Sequence, residues 1–201
     1  MYIRGEKNVR SLHLEKKGLR GLAIAESFKP NSIKSVFSGI AMRRDFIIDD
    51  FIFGSATLEG DDATDTILSM YEELHRPDIS YVLISGLIVS MYNIIDIKKL
   101  FDVLQIPIIG VSYNDSKGIE DSLKHHFPNS SELKIQAYRQ LGRREKITLS
   151  TSHEIFVRIE GCEISDVKHL LDSLTLHGSI PEPVRVSQLL AKKLLEKGLS
   201  F

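Results

Sequence analysis

The sequence predicts an α/β fold built on a mixed sheet, in which the first three strands are antiparallel and the later strands alternate with helices. A short, nearly continuous apolar run at residues 21–27 has the character of a buried strand. Two segments rich in β-forming residues follow at 34–42 and 46–58, and the charged residues 43–45 form a tight turn between them. These three runs predict an antiparallel meander at the start of the fold.

The chain then changes from strand periodicity to helix periodicity. The side chains that predict the first helix recur at the i, i+3, i+4, i+7 spacing of one buried face, and they are Ile67, Met70, Tyr71 and Leu74. Asp61 or Asp62 is placed to cap this helix, because a carboxylate accepts hydrogen bonds from the free N–H groups of the first turn. The helix is expected to end before Pro77, since the residue preceding a proline avoids helical geometry.

Strands and helices alternate through the rest of the chain. Apolar strands are predicted at 81–84 and 107–111 with a helix at 94–104 between them, and this order implies right-handed crossovers and parallel strands. The remaining predicted elements are helices at 117–126 and 131–141, strands at 146–149 and 154–159, a helix after Gly161, and a final helix at 186–196. An antiparallel start followed by parallel strands and flanking helices is the layout of a ribonuclease H-like domain.

The composition is that of an ordinary globular protein. The 201 residues, of which 42% are hydrophobic and 26% charged, suffice for one well-filled core, so we expect a single domain spanning residues 1–201. No apolar run is long enough to span a bilayer and the charged N-terminus has no signal-peptide core, which predicts a cytoplasmic protein without membrane contact. Cys162 is the only cysteine, and this excludes an internal disulfide and any multi-cysteine metal site.

Charge is unevenly distributed, although the formal net charge is only -1. Basic residues far outnumber acidic ones within residues 1–44, and acidic residues dominate the following stretch up to residue 78. A basic face beside an acidic cluster suits a phosphodiester substrate, with Lys29, Lys34, Arg43 and Arg44 as candidate phosphate contacts. The simpler alternative is ordinary solvated surface charge.

Several carboxylates lie near predicted strand ends. Glu26 ends the first strand, and Asp61, Asp62 and Asp65 surround the start of the helix after the third strand. Carboxylates brought together there would suit Mg²⁺, a hard cation that prefers oxygen ligands, and a bound metal would polarise a phosphate and activate water. Helix capping is the alternative role for the three aspartates. The sequence contains neither a phosphate-binding P-loop nor a G-x-S-x-G nucleophile elbow.

Four segments carry a family resemblance. They are RGLAIAESF, LEGDDATDTI, LISGLIVSMYNIIDI and IPEPVRVSQLLA, which together span most of the chain. This set resembles the archaeal endonuclease dU family and, more distantly, endonuclease V. The resemblance implies a ribonuclease H-like fold and a metal-dependent hydrolase of DNA repair, which cleaves a DNA strand near a deaminated base such as uracil or hypoxanthine.

The resemblance also implies roles for particular residues. Glu26 and Asp62 are the implied metal-binding acids, assisted by Asp65 or Asp50. The implied catalytic set is Glu26, Asp62, Asp65 and Ser85. Asn93 is an implied polar contact to nucleic acid at the same site. The implied cofactor is Mg²⁺, and the implied partner is DNA or RNA.

The match to endonuclease V breaks at three places. Ala25 stands where endonuclease V has an aspartate on its first strand, Ser85 stands where it has another, and residues 112–114 lack its lysine. Serine is a much weaker Mg²⁺ ligand than a carboxylate. Two functions therefore stay open: a Mg²⁺-dependent endonuclease, and a catalytically inactive homologue that binds nucleic acid. A third function is partner binding by the apolar residues of the last helix, which are Leu189, Leu190, Leu194 and Leu195.

Overall fold

The computed structural model describes residue 12 and residues 14–16, 18–199 and 201. The strands are β1 Arg20–Ser27, β2 Lys34–Arg43, β3 Ile48–Thr57, β4 Ile79–Ser85, β5 Ile88–Val89, β6 Asn93–Ile94, β7 Ile108–Ser112, β8 Glu145–Thr148 and β9 Glu154–Glu160. The helices are α1 Ala63–Glu73, α2 Ile97–Leu104, α3 Glu120–His126, α4 Ser131–Gln140, α5 Ile164–Leu174 and α6 Glu182–Glu196. Across the described ranges, none of these helices combines the length and apolar character needed to cross a membrane.

Seven strands form one mixed sheet in the order β3-β2-β1-β4-β7-β9-β8, and β5 and β6 form a separate short ribbon. β1, β2 and β3 make the antiparallel meander that the sequence predicts. β4 and β7 lie parallel to β1, as predicted. At the far side β9 runs antiparallel to β7, and β8 pairs antiparallel with β9. The parallel pairing brings the carboxyl ends of β1, β4 and β7 to one edge of the sheet, which we call the carboxyl edge.

The two faces of the sheet bury separate cores. Along β1, Leu22 and Ile24 point into the core shared with α1 and α2, whereas Ala23 points into the core shared with α5 and α6. Because side chains alternate across a strand, Glu26 lies on the face of α1 and Ala25 lies on the face of α6. The side chains of Ala25 and Glu26 therefore lie on opposite faces of the sheet.

The same alternation places Ser85 of β4. Tyr81 and Leu83 belong to the core shared with α5 and α6, so Ser85 also lies on the face of α6. Ser85 and Ala25 each follow the last aligned residue pair of β4 and β1, so they lie side by side on that face.

A buried pair of serines fixes α6 to the sheet. Ser38 of β2 donates from Oγ to the carbonyl of Ser187 at 2.6 Å, and Ser187 donates in return to the carbonyl of Ser38 at 2.8 Å. Both residues are fully buried. The helix begins at Glu182, earlier than the predicted residue 186, because Pro183 fits the first turn, where a backbone N–H has no partner in the helix.

Two helix starts differ from the prediction. Asp62 occupies the position before α1, but its side chain makes no capping hydrogen bond, so the expected capping role is wrong. The side-chain carbonyl of Asn93 instead accepts from the N–H of Ala63 at 3.1 Å. α2 begins at Ile97 rather than at residue 94, because Asp96 caps its first turn and residues 93–94 belong to β6.

We expect Ser187→Ala to lower the free energy of unfolding by about 0.5–1.5 kcal/mol, because it removes the buried hydrogen bond from Ser187 Oγ to the carbonyl of Ser38. Urea denaturation followed by circular dichroism measures this change. Ser69→Ala, at an exposed position of α1, is the matched control and should change the value by less than about 0.5 kcal/mol. Equal effects of the two substitutions would show that the serine pair does not hold α6.

Candidate functional site

Glu26 lies at the carboxyl edge, near the end of β1, and is partly buried. One carboxylate oxygen accepts a hydrogen bond from Ser90 Oγ at 3.0 Å. Ser90 Oγ also lies 2.6 Å from Ser35 Oγ, so the three side chains form one hydrogen-bonded chain. Burial raises the pKa of Glu26 above its ordinary value, and the hydrogen bonds from Ser90 and Ser35 oppose this shift only in part.

Asp62 lies in the loop between β3 and α1, where hydrogen bonds from Thr57 and Asn93 hold its side chain. Its carboxylate accepts from the N–H of Thr57 at 3.0 Å, from Thr57 Oγ1 at 2.7 Å and from Asn93 Nδ2 at 2.7 Å. Burial alone would raise the pKa of Asp62, but these hydrogen bonds outweigh it and the pKa lies below its ordinary value. Both carboxylate oxygens are therefore already engaged within the protein.

Asn93 is fully buried and links two loops. Its amide nitrogen donates to Asp62 and to the carbonyl of Thr57, and its amide oxygen accepts from Ala63. The side chain thus joins the β5–β6 ribbon to the loop before α1. All of these hydrogen bonds are internal, so Asn93 acts as a structural cross-link in this conformation.

A strained turn lies between β5 and β6. Ser90, Met91 and Tyr92 have φ values of 46°, 55° and 74°, which place three consecutive non-glycine residues in the left-handed region. Each such residue costs roughly 1–2 kcal/mol, so surrounding contacts must hold the turn. The carbonyl of Ser90 accepts from the N–H of Glu59 at 2.7 Å, and that of Tyr92 accepts from Lys134 Nζ at 3.2 Å.

Lys134 is the residue that sequence reasoning missed. It lies on α4 with its side chain 9% exposed, and its ammonium group also donates to the carbonyl of Gly60 at 2.9 Å and to Asp61 Oδ1 at 2.8 Å. These bonds tie α4 to the loop before α1 and to the strained turn. A lysine on a predicted amphipathic helix is ordinary, so no local signal in the sequence marks this role.

The other two members of the implied catalytic set are also engaged. Asp65 is exposed and forms an ion pair with Lys99 at 2.5 Å. Ser85 Oγ accepts from the side-chain amide of Gln188 on α6 at 2.8 Å. The structure therefore separates Ser85, on the face of α6, from Glu26, on the face of α1.

This arrangement of donors does not fit a resident Mg²⁺ site. Ala25 and Ser85, where the resemblance implies acids, carry no carboxylate and face away from Glu26. Asp62 uses both oxygens in hydrogen bonds from Thr57 and Asn93. Within the part of the chain that the structure describes, no three His, Cys, Asp or Glu side chains are grouped so that they suit a metal ion. The metal roles of Glu26 and Asp62 stay predictions.

The candidate phosphate contacts divide between the two ends of the sheet. Lys29 and Lys34 lie at the carboxyl edge, where they line a groove with the C-terminal end of α6. Arg43 pairs with Arg20, the first residue of β1. Arg20 lies six residues before Glu26, so at ~3.3 Å per residue Arg43 is about 20 Å from the carboxyl edge. Arg44 follows it in the turn at that far end.

Exposed lysines of α6 extend the positive surface at the carboxyl edge. We call this surface the basic patch, and its members are Lys29, Lys34, Lys192, Lys193 and Lys197. Glu196 lies among them, and the hydrogen bond and charge of Lys193, with the charges of Lys192 and Lys29, hold the pKa of this carboxyl below its ordinary value. The patch therefore has an excess of positive charge.

A pocket of about 150 Å³ opens at the ends of β4 and β7. Its apolar walls include Leu87, Val111 and Val157, and Tyr138 and Arg144 lie at its side. The guanidinium of Arg144 stacks on the ring of Phe156 at 4.8 Å from its centroid. Apolar walls with a few placed polar groups are typical of small-ligand sites.

Solved structures define the class of fold. A crystal structure of a protein from Archaeoglobus fulgidus has a TM-score of 0.76 at 23% identity, covering 88% of this chain and 98% of that chain. Endonuclease V of Ciona intestinalis, solved with DNA containing an inosine, has a TM-score of 0.60 at 16% identity, covering 95% and 92%. The protein therefore has a ribonuclease H-like fold of the endonuclease V type, as the sequence predicts.

Sequence comparison identifies the family within this class. The family model for endonuclease dU matches residues 17–195. A UPF0215 protein of the archaeon Pyrobaculum calidifontis is 34% identical over 176 residues, which cover 87% of this chain and 96% of the relative. This chain belongs to the endonuclease dU family, and that membership supports a nuclease-like role in nucleic-acid processing.

We expect Glu26→Gln to increase stability at pH 7. Folding raises the pKa of Glu26 above its ordinary value of 4.5. The carboxyl group therefore stabilises the folded state at a pH below 4.5, and this contribution is lost as the pH rises through the pKa that Glu26 has in the folded protein. Glutamine keeps an oxygen that accepts from Ser90 and removes the buried charge. The free energy of unfolding, measured in urea at several pH values, should exceed that of wild type at pH 7 and match it at low pH.

Asp62→Asn is the matched control, with the opposite sign. The pKa of Asp62 is lowered on folding, so its stabilisation is present above its ordinary pKa of 3.8 and disappears as the pH falls through the folded value. The variant should be less stable than wild type at pH 7, and the difference should shrink at low pH. A Glu26→Gln variant that is less stable at pH 7 would contradict the assigned environment of Glu26.

Proposed function

We propose that this protein binds a DNA strand along the carboxyl edge of its sheet, without the metal-dependent cleavage that the family resemblance implies. The basic patch contacts phosphates, and the pocket beside Tyr138 receives one base. The observation that carries the proposal is a difference in availability between the basic patch and the pocket on one side and the carboxylates on the other. A positively charged surface and an apolar pocket lie at this edge, whereas the acids that would hold a metal are replaced or already bonded.

The loss of acids on the face of α6 supports the absence of cleavage. Ala25 and Ser85 lie side by side there, and Ser85 is bonded to Gln188. Neither position offers a charged oxygen to a metal ion or to an attacking water. Loss of one catalytic group commonly removes several powers of ten in rate, and here two implied acids are absent together.

The basic patch supports contact with phosphates. Its lysines are exposed: Lys29 and Lys34 line a groove with the end of α6, and Lys192, Lys193 and Lys197 lie in the last turns of that helix or directly after it. Lysines that neutralise phosphates release counterions, which gives affinity without sequence preference. Endonuclease V of Ciona intestinalis, which shares the fold, was solved in complex with DNA.

The pocket supports binding of a single unpaired base. Leu87 and Val111 provide apolar walls, and Tyr138 and Arg144 lie at the side, where the Arg144 guanidinium stacks on Phe156 and pairs with Asp115. Proteins that read an extruded base combine apolar or aromatic walls with polar groups that meet the base edge. We therefore infer a single-stranded or locally opened DNA as the ligand.

A Mg²⁺-dependent endonuclease acting on DNA with uracil or hypoxanthine is the second candidate. The family match over residues 17–195 and the carboxylate of Glu26 at the end of β1 favour it. It requires Asp62 to give up its bonds to Thr57 and Asn93 when substrate binds.

We expect labelled single-stranded DNA to bind at low salt, with an affinity that falls as salt is added. Lys29→Ala combined with Lys34→Ala should reduce the magnitude of the log–log salt slope by about 1.4, since each phosphate contact on a single strand contributes about 0.7. Fluorescence anisotropy measures the slope. Arg43→Ala combined with Arg44→Ala removes the same charge at the far end and should leave the slope unchanged.

Cleavage is tested in the same samples. Duplex and single-stranded DNA with one uracil or hypoxanthine should remain intact in Mg²⁺ or Mn²⁺ on denaturing gels. Cleavage that Glu26→Gln abolishes would establish the second candidate and overturn the first. Absence of binding at low salt would reject the proposed binding function.

A further inference from the structure

Tyr92 lies in a small group of aromatic side chains that neither the basic patch nor the pocket includes. Its ring centroid is 5.0 Å from that of His126 and 5.8 Å from that of Phe127, which it meets edge-on. His126 is exposed, and Tyr92 and Phe127 are partly exposed. We call these three residues the aromatic platform.

The platform is held rigidly. Tyr92 is the last residue of the strained left-handed turn, and its carbonyl accepts from Lys134, whose ammonium group also lies 5.0 Å from the centroid of the Phe127 ring. Ser90, at the start of the turn, is bonded to Glu26. Three bulky or polar residues thus occupy a conformation that glycine adopts more easily. Strain that the surrounding contacts maintain is a mark of functional positions.

The location of the turn connects the platform to the carboxyl edge. Ser90 contacts both Glu26 of β1 and Ser35, and Ser35 follows Lys34 of the basic patch. Around the turn, the backbone N–H of Glu59 bonds to the carbonyl of Ser90, and Asp61 forms an ion pair with Lys134. The aromatic rings present flat, electron-rich faces, which suit a stacked base better than a phosphate.

We propose that the aromatic platform is a second base-binding position, where an unpaired base of the bound strand stacks against Tyr92. This inference rests on the proposed function, because it needs a strand at the carboxyl edge. It adds a residue that determines affinity for unpaired bases, at a place distinct from the pocket beside Tyr138. Stacking on an aromatic ring is tolerant of base identity, so the position favours single strands over any particular sequence.

Tyr92→Asn is the decisive variant, because asparagine tolerates the left-handed region and the substitution removes the ring. It should weaken binding of single-stranded DNA by about 5- to 100-fold, the range expected for loss of one stacked base. Tyr92→Phe keeps the ring and should bind as wild type does. The salt slope should be the same in all three proteins, since stacking releases no counterions.

Strands with a single 2-aminopurine give a direct readout, because its fluorescence is quenched when it stacks. At one position along the strand, wild type and Tyr92→Phe should quench it and Tyr92→Asn should not. If wild type binds and Tyr92→Asn shows the same affinity and the same quenching, the stacking position at the platform is overturned. The proposed function would remain intact in that case. No binding by wild type at low salt would overturn both. Weaker binding by Tyr92→Asn with a reduced salt slope would also contradict stacking.

Discussion

The buried amide of Asn93 is the contact on which the geometry of this site depends. It joins the β5–β6 ribbon to the loop before α1 by three hydrogen bonds, to Asp62, to the carbonyl of Thr57 and to the N–H of Ala63. Because the amide is fully buried, leaving any of these groups without a partner would cost about 1–3 kcal/mol. Asn93 thus contributes, together with Thr57, to the position of Asp62, and it also bonds to the first N–H of α1.

The cross-link has a consequence for chemistry. A carboxylate that stabilises a loop through hydrogen bonds from Thr57 and Asn93 has both oxygens engaged, so binding a metal ion would compete with those bonds. Glu26 is likewise bonded to Ser90, on the side of the sheet opposite to Ala25 and Ser85. Glu26 and Asp62 therefore contribute to the internal structure of the loops at this edge.

Lys134 completes this arrangement from α4. Its three hydrogen bonds go to Gly60, Asp61 and Tyr92, so one ammonium group satisfies two loop carbonyls and holds a turn whose backbone is strained. A cation with three donors suits this position, because each donor finds an oxygen. The loops at the carboxyl edge are thus connected to one another and to the helices around them, which keeps the candidate binding surfaces in fixed positions.

Local patterns in the sequence determined the elements and the family. The apolar run of β1, the helical spacing in α1 and the segment around Asp62 each depend on residues close together in the chain, so periodicity and motif identify them. Only the tertiary structure decided the partners of the carboxylates. Asp62 bonds to Asn93, 31 residues away, and Lys134 reaches Tyr92, 42 residues away. Such pairs leave no local pattern, because they exist only after the sheet brings distant loops to one edge.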